Sequence, residues 1–139
     1  MLSEIADIAN VLFPVHPCTR NVMKEIERLL LSPRLRFIDP VGYLEFLVLQ
    51  RKAALVIMDS GCIQEETTYL GIPCLTVREN TERPINMDVG SNILVRRDIP
   101  MLRREADKAL SGKGKSSSTP PLWDGMASER IAAILLDKA

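Results

Sequence analysis

The stretch Val56-Ile57-Met58-Asp59-Ser60-Gly61-Cys62-Ile63-Gln64-Glu65-Glu66 decides how this chain folds. Its apolar start stops at Asp-Ser-Gly and helical chemistry follows, which predicts a strand, a tight turn and a helix from Gly61. The start of such a helix gathers unpaired N–H groups and the positive end of the helix dipole, which suits a phosphate or diphosphate. In the alternative interpretation, Asp59 and Ser60 merely cap the helix, and the motif alone does not separate the two.

The rest of the chain repeats this alternation of apolar runs and helical patterns. Strands are predicted over 11–15, 35–38, 55–58, 74–77 and 93–95, and helices over 2–9, 20–31, 42–51, 61–70, 98–111 and 126–137. Alternating strands and helices predict an α/β fold, a Rossmann-like parallel sheet with helices on both faces. We expect one domain over 1–111, a flexible loop over 112–121 that is rich in Gly, Lys, Ser and Pro, and a C-terminal helical segment over 122–139.

Two finer expectations concern single segments. On the helix over 42–51, the apolar residues Tyr43, Leu44, Leu47 and Val48 are predicted to face inward. The polar run 78–86, after the fourth strand, is predicted to be a loop.

Composition narrows the class of protein. The 139 residues are 46% hydrophobic and carry 18 basic and 18 acidic side chains, so no net charge favours nucleic acid or an anionic membrane surface. Three cysteines without C-x-x-C spacing indicate neither a disulfide framework nor a zinc site. No apolar run approaches the roughly 20 residues that span a bilayer. We therefore expect a cytoplasmic protein with reduced thiols and no metal.

Polar residues follow each predicted strand, and sites in parallel sheets gather at these carboxyl ends. His16, the only histidine, stands at the end of the first strand. Either it has a structural role, or it contacts a diphosphate or transfers a proton, and both interpretations stay open. Arg83 lies in the loop after the fourth strand. Pro84 favours an extended backbone at Arg83, which would aim the guanidinium into the cleft expected at the carboxyl ends of the strands. The alternative for Glu82 and Arg83 is an ordinary surface ion pair.

Several motifs, in this order, resemble the non-hydrolysing UDP-N-acetylglucosamine 2-epimerases. They are His16-Pro17-Cys18-Thr19-Arg20, Asp39-Pro40 with Tyr43-Leu44, the segment 59–66, Gly71-Ile72-Pro73, the segment 78–84 and Leu122-Trp123-Asp124-Gly125. The resemblance covers nearly the whole chain. It implies one half of a glycosyltransferase-B-type two-domain fold, and this chain resembles the C-terminal half.

The resemblance also implies a UDP site and a reaction. Ser60 and Gly61 would bind the diphosphate, Glu66 the ribose diol and Phe46 the uracil. His16 would be the catalytic residue that approaches the diphosphate and the sugar, and Arg83 would line the cleft. The family eliminates UDP and adds it back with inversion at C2 of the sugar, without a cofactor or metal. Cys62 replaces a usual glycine and Cys18 a usual arginine, and either change is expected to weaken UDP binding.

The same resemblance implies that the acid and base carboxylates belong to an N-terminal domain. We therefore expect this chain to be the part of the enzyme that binds UDP or a UDP-N-acetylhexosamine. Alone, it is expected to be inactive. The alternative is a non-catalytic nucleotide-sugar-binding module that is completed by a separate N-terminal chain. The resemblance implies that the segment 122–139 packs toward the N-terminal domain in the family. In this chain we expect it to be mobile, repacked on this domain or used in self-association into a homo-oligomer, and these three alternatives stay open.

Overall fold

The computed structural model describes residues 2–20, 23 and 32–137. Within these residues, strands and helices alternate, and the predicted α/β fold is confirmed. The strands are β1 (Val11–Pro14), β2 (Leu35–Ile38), β3 (Val56–Met58), β4 (Cys74–Thr76) and β5 (Asn92–Leu94). The helices are α1 (Leu2–Ala6), α2 (Tyr43–Lys52), α3 (Gly61–Leu70), α4 (Pro84–Asp88), α5 (Ile99–Leu110) and α6 (Ala127–Asp137).

Every observed strand pairing is parallel, as expected when a helix or long connection separates consecutive strands. Within the described residues the strands form two sheets, one of β1 and β2 and one in the order β3-β4-β5. Met58 pairs with Thr76, and Thr76 with Leu94, so the carboxyl ends of β3, β4 and β5 lie at one edge. Asp59 and Ser60 follow β3 at this edge, and the segment 78–84 follows β4.

The central strand β4 is covered on both faces, because successive side chains of a strand point in opposite directions. Leu75 packs in a cluster with Ile5 of α1 and with Leu102 and Ala106 of α5. Cys74 and Thr76 point to the other face, where the Cys74 thiol contacts Thr67 of α3. Helices therefore flank this sheet on both sides, as the sequence predicts.

The ends of α3 and α5 follow from local chemistry. Gly71 follows α3 in the left-handed conformation, with φ of 69°, and its N–H bonds back to the carbonyl of Thr67. Glycine adopts this conformation without steric strain, which explains why the helix ends there. At the start of α5 the Asp98 carboxylate accepts a hydrogen bond from the Met101 N–H at 2.8 Å. This contact is an ordinary N-cap.

Two predictions about elements are wrong. The segment 78–86 is not wholly a loop, because α4 begins within it at Pro84, whose missing N–H suits the first helical position. On α2, Tyr43, Leu44 and Val48 are exposed, and of the four residues predicted to face inward only Leu47 is half-buried. Phe46 and Leu49 are also half-buried, and Gln50 is buried. The buried stripe of α2 thus includes a polar residue, so hydrophobicity alone misplaced the face.

The predicted helix over 20–31 lies outside the described residues except for its members 20 and 23. Residues 17–20 are helical, so the helix starts at Pro17, three residues earlier than predicted. Met23 is helical and buried.

The segment 112–121 has neither helix nor strand, and polar contacts attach it to the α4 region. The Lys115 ammonium donates hydrogen bonds to the carbonyl oxygens of Met87 and Asn92, and the Ser118 N–H donates to Val89 O at 3.1 Å. Burial lowers the pKa of Lys115, although the nearby Asp88 opposes this. Beyond this segment, α6 has no buried residue, and the side chains of Ile131, Ile134 and Leu135 are all exposed.

Candidate functional site

The helix start at β3 and α3 has the geometry expected for anion binding. Ser60 is the N-cap residue, with an extended backbone at φ −90° and ψ 145°. Within the described part of the chain, the Ser60 hydroxyl makes no capping hydrogen bond. The N–H groups of the first turn therefore lack the partner that a capping serine supplies. This observation favours ligand binding over simple capping.

Gly61 borders open space. A Cβ atom built at this position meets no atom within 4 Å, among the described residues, beyond its immediate surroundings in the helix. Packing within the chain therefore does not require a glycine there. Small size at this position instead allows a ligand to approach the backbone closely, which is one of the two uses of glycine in phosphate-binding turns.

Glu66 is held in place by a buried residue of α2. The Gln50 amide nitrogen lies 2.6 Å from the Glu66 carboxylate, and Gln50 is only 2% exposed. Glu66 itself is half-buried and lies about 7.5 Å along the helix axis from Gly61, at roughly 1.5 Å per residue. The Glu66 carboxylate, with one oxygen bonded to Gln50 among the described residues, therefore lies about 7.5 Å from the start of α3.

Phe46 lies one helical turn before Gln50 on α2, so the two side chains share a face. This face meets α3, since Gln50 contacts Glu66 across the boundary. Phe46 is half-buried and thus offers part of its ring at the same boundary. The structure brings the predicted residues Phe46 and Glu66 to one side of the domain.

Two contacts bind the loop after β4 to α3. The Thr81 hydroxyl donates a hydrogen bond of 2.7 Å to the side-chain carbonyl of Gln64, and it accepts one of 3.0 Å from the Arg83 N–H. The Arg83 guanidinium forms an ion pair with Glu65 at 2.9 Å. Arg83 therefore lies against the second turn of α3, with a backbone ψ of 64° that is less extended than Pro84 led us to expect.

His16 is exposed and makes its hydrogen bonds with the turn that follows it. Its Nδ1 accepts a hydrogen bond of 3.3 Å from the Cys18 N–H, and its carbonyl accepts from Thr19 and Arg20. This arrangement is that of an N-cap residue, and it leaves Nε2 available. Nearby, Arg20 forms an exposed ion pair of 2.9 Å with Asp39, which links the carboxyl ends of β1 and β2.

An open cleft of about 510 Å³ lies beside the helix start, at the carboxyl ends of β3 and β4. Its lining is almost entirely charged, with Asp59, Arg78, Glu79 and Arg97 around Val77. The Arg97 and Glu79 side chains approach to 4.0 Å. Because these charges balance, the cleft itself has no strong preference for anions. The start of α3 is therefore more selective for anions than the cleft.

The thiols differ in environment. Cys62, in the first turn of α3, is exposed, as is Cys18. Cys74 is buried, and this burial raises the pKa of its thiol to about 11 despite opposing hydrogen bonds with Thr67 and Thr76. Cys74 therefore stays neutral and unreactive at ordinary pH.

Within residues 2–20, 23 and 32–137, no group of three or more His, Cys, Asp or Glu side chains is arranged to hold a metal ion. A search of the same residues finds no helix with the length and apolarity that a membrane span requires.

Comparison with known proteins decides the family. The model of the UDP-N-acetylglucosamine 2-epimerase family matches residues 1–136. The chain belongs to this family. The resemblance noted in the sequence is thereby confirmed.

Individual relatives in the UDP-N-acetylglucosamine 2-epimerase family are about equally similar to this chain. A UDP-N-acetylglucosamine 2-epimerase of Methanocaldococcus jannaschii is 41% identical over 135 residues, which are 95% of this chain and 36% of the relative. A UDP-2,3-diacetamido-2,3-dideoxy-D-glucuronate 2-epimerase of Pseudomonas aeruginosa is also 41% identical, over 96% of this chain and 37% of its own length. The chain spans little more than a third of either relative.

Solved structures agree with the family assignment. The structure of the M. jannaschii UDP-GlcNAc 2-epimerase in complex with UDP-GlcNAc and UDP has a TM-score of 0.77 and 40% identity, and the match covers 96% of this chain and 37% of that one. The Neisseria meningitidis UDP-GlcNAc 2-epimerase bound to UDP-GlcNAc has a TM-score of 0.76 and 30% identity, over 96% and 40%.

Sequence reasoning missed two supporting residues of the site. Gln50 belongs to none of the motifs quoted above. Its signal in the sequence is that a polar residue ends the apolar run Leu47-Val48-Leu49 of α2. Gln64 lies inside the opening stretch, but its bond to Thr81 joins segments that are 17 positions apart. A single sequence carries no sign of such a partnership.

Proposed function

We propose that this chain is the UDP-binding part of a UDP-N-acetylglucosamine 2-epimerase and corresponds to the C-terminal domain of the two-domain enzyme, or to a fragment of it. The whole enzyme would interconvert UDP-GlcNAc and UDP-ManNAc. UDP is the portion of the substrate that the names of the M. jannaschii and P. aeruginosa relatives share. Their equal identity to this chain supports a UDP site more strongly than a choice of sugar.

The observation that carries the proposal is the pairing of an uncapped helix start with a fixed carboxylate. Ser60 leaves the first turn of α3 without a capping bond, and Gly61 leaves space in front of it. Farther along α3, the Glu66 carboxylate accepts a hydrogen bond of 2.6 Å from the Gln50 amide of α2. A diphosphate at the first point and a ribose diol at the second match the chemistry of a nucleoside diphosphate.

The remaining predicted residues complete the proposed site. Phe46 would pack against the uracil, and the Arg83 guanidinium, now paired with Glu65, would approach the diphosphate or the sugar. His16 would act at the rim, where its Nε2 is available. The helical segment over 122–139 would pack toward the N-terminal domain, and its exposed apolar residues support this.

In the proposed reaction a base removes the proton from C2 of the sugar, and the bond between C1 and the UDP oxygen breaks. UDP leaves with the electron pair, and a 2-acetamidoglucal forms. In the addition step the UDP oxygen bonds to C1 again, and an acid returns a proton to the opposite face of C2, which inverts that carbon. The negative charge that develops on the departing diphosphate would be stabilised by the N–H groups at the start of α3. The proton-transfer carboxylates would come from the N-terminal domain, so the chain alone is expected to bind UDP without turnover.

Calorimetric titration of UDP into the 139-residue chain tests this proposal. We expect saturable binding, a loss of roughly 10–100-fold in affinity in Glu66→Ala, and a smaller loss in Ser60→Ala. Asp107→Ala and Ser117→Ala, which remove the same groups from exposed positions, are matched controls and should bind as the parent does. Unchanged binding in both Glu66→Ala and Ser60→Ala would overturn the site assignment.

A second candidate is a non-catalytic module that completes an active site with a separate N-terminal chain. The exposed apolar side chains of α6 favour it, because a partner surface would cover them. Mixing the chain with the separately expressed N-terminal part of the M. jannaschii enzyme, and following UDP-GlcNAc by NMR, tests this candidate. Epimerisation in the mixture only would support it, whereas turnover by the chain alone would contradict both candidates.

A further inference from the structure

Gln50 occupies a position in α2 where a polar side chain needs a reason. It is 2% exposed, although it ends an apolar run, and burial of an amide is unfavourable unless its groups are hydrogen-bonded. Its amide nitrogen has a partner in Glu66 at 2.6 Å. Its side-chain carbonyl is buried and has no hydrogen-bond partner in the described part of the chain. The contact with Glu66 is therefore the one interaction that accounts for this residue.

The orientation of the Gln50 amide follows from its partner. An ionised carboxylate only accepts hydrogen bonds, so the NH₂ group must face Glu66 and the carbonyl must face away. The bond engages the Oε2 atom of Glu66. It fixes the plane of the carboxylate and leaves Oε1 free to accept from a ligand hydroxyl.

We propose that Gln50 is a positioning residue that orients the Glu66 carboxylate for the ribose diol of the nucleotide. This inference rests on the proposed UDP site and adds to it a residue that touches no substrate. Because Gln50 and Glu66 lie on different helices, the selectivity for ribose depends on how α2 and α3 pack together. The start of α3, which binds the diphosphate, does not depend on this contact.

The test compares the affinities of UDP and 2′-deoxy-UDP for the 139-residue chain. The parent chain should bind UDP about tenfold more tightly than 2′-deoxy-UDP, since the deoxy compound lacks one hydroxyl that donates to the Glu66 carboxylate. In Gln50→Leu the affinity for UDP should fall about tenfold, while the affinity for the deoxy compound should change by less than twofold. Gln50→Met, which is closer in length, should give the same result and is used if the leucine variant unfolds at a lower temperature. Leu44→Ala, at an exposed position of α2, should leave both affinities unchanged.

The pattern across the two nucleotides separates the possible outcomes. A purely structural role for Gln50 would weaken both nucleotides equally, and that result, or an unchanged ratio, would overturn the positioning role. If Glu66→Ala removes the preference for UDP but Gln50→Leu keeps it, only this inference fails. If Glu66→Ala also keeps the preference, or if the parent binds neither nucleotide, the proposed UDP site fails and this inference fails with it.

Discussion

Helices α3 and α6 have similar lengths but opposite relations between polarity and burial. On α3 the buried side chains are polar, namely Gln64, Thr67 and Thr68. On α6 no residue is buried, and the exposed residues include Ile131, Ile134, Leu135 and Leu136. Hydrophobic pattern alone would have buried α6 and exposed much of α3.

This difference indicates that specific polar contacts, more than buried apolar area, determine the position of α3. Its successive residues Gln64, Glu65 and Glu66 contact Thr81, Arg83 and Gln50, which belong to two other segments. Buried polar groups are costly when unpaired, so such contacts select one arrangement. The exposed apolar stripe of α6 instead has the character of a surface that a partner covers.

The largest expected effect comes from truncating the buried polar face of α3. Gln64→Ala removes a side chain that is 1% exposed and leaves the Thr81 hydroxyl without its acceptor. We expect the free energy of unfolding to fall by about 2–3 kcal/mol. Leu135→Ala on α6, at an exposed position, should change it by less than about 0.5 kcal/mol. Urea denaturation measures both, and equal losses would erase the contrast between the helices.

A smaller effect is expected when only the loop contact is removed. Thr81→Val keeps the volume but removes the hydroxyl, so the buried Gln64 carbonyl loses its donor and the Arg83 N–H loses its acceptor. We expect a loss of about 1–2 kcal/mol, together with faster amide exchange at Arg83. Thr119→Val, at an exposed position, is the control. If the free energy of unfolding, measured by urea denaturation, stays the same within experimental error, α3 does not hold this loop in place.

The two glycines at the ends of α3 should respond in opposite directions. Gly71 has φ of 69°, so Gly71→Ala should lower the free energy of unfolding by about 1 kcal/mol. Gly61→Ala meets no nearby atom and should raise it by about 0.5 kcal/mol, while UDP affinity falls because the new methyl group occupies ligand space. For both variants, thermal unfolding measures the stability and UDP titration measures the affinity for UDP. Undiminished UDP affinity in Gly61→Ala would contradict the role given to that open space.

The smallest effect concerns the start of α6. Hydrogen bonds from Arg130 and from the Met126 N–H lower the pKa of Asp124 from 3.8 to about 2. Because the folded pKa lies below the unfolded one, the stabilisation is present above about pH 4 and is lost as pH falls through about 2. NMR titration of the Asp124 carboxyl should show this midpoint, and Asp124→Asn should abolish the associated shift of the Met126 amide. A midpoint near 4 would mean that the contact with Arg130 does not persist in solution.

The sequence predicted much of the fold because parallel strands and their helices have strong local signals. The strands over 55–58 and 74–77, the helix start at Gly61 and the cap at Gly71 all agree with the structure to within about a residue. The short helix α4 was missed because its five residues are too few to show a helical period. The buried face of α2 was misplaced because its buried anchor, Gln50, is an amide.

The candidate site was predictable in part. Ser60, Gly61 and Glu66 lie on one helix, so helical geometry fixes their spacing from the sequence. The contacts of Gln50 with Glu66 and of Gln64 with Thr81 cross between elements and depend on packing. The roles of Phe46, Arg83 and His16 in binding UDP stay predictions, since the structure supplies their positions and not their ligand.

The central claim is that the start of α3 and the Glu66 carboxylate form a UDP site in this chain. Titration of the ¹⁵N-labelled chain with UDP, followed by amide chemical shifts, tests it most directly. The account predicts saturable shifts concentrated on residues 60–66, with weaker shifts on 78–84 and 46–50, and their loss in Glu66→Ala. Shifts centred on α5 or α6, or no shifts at millimolar UDP, would contradict it.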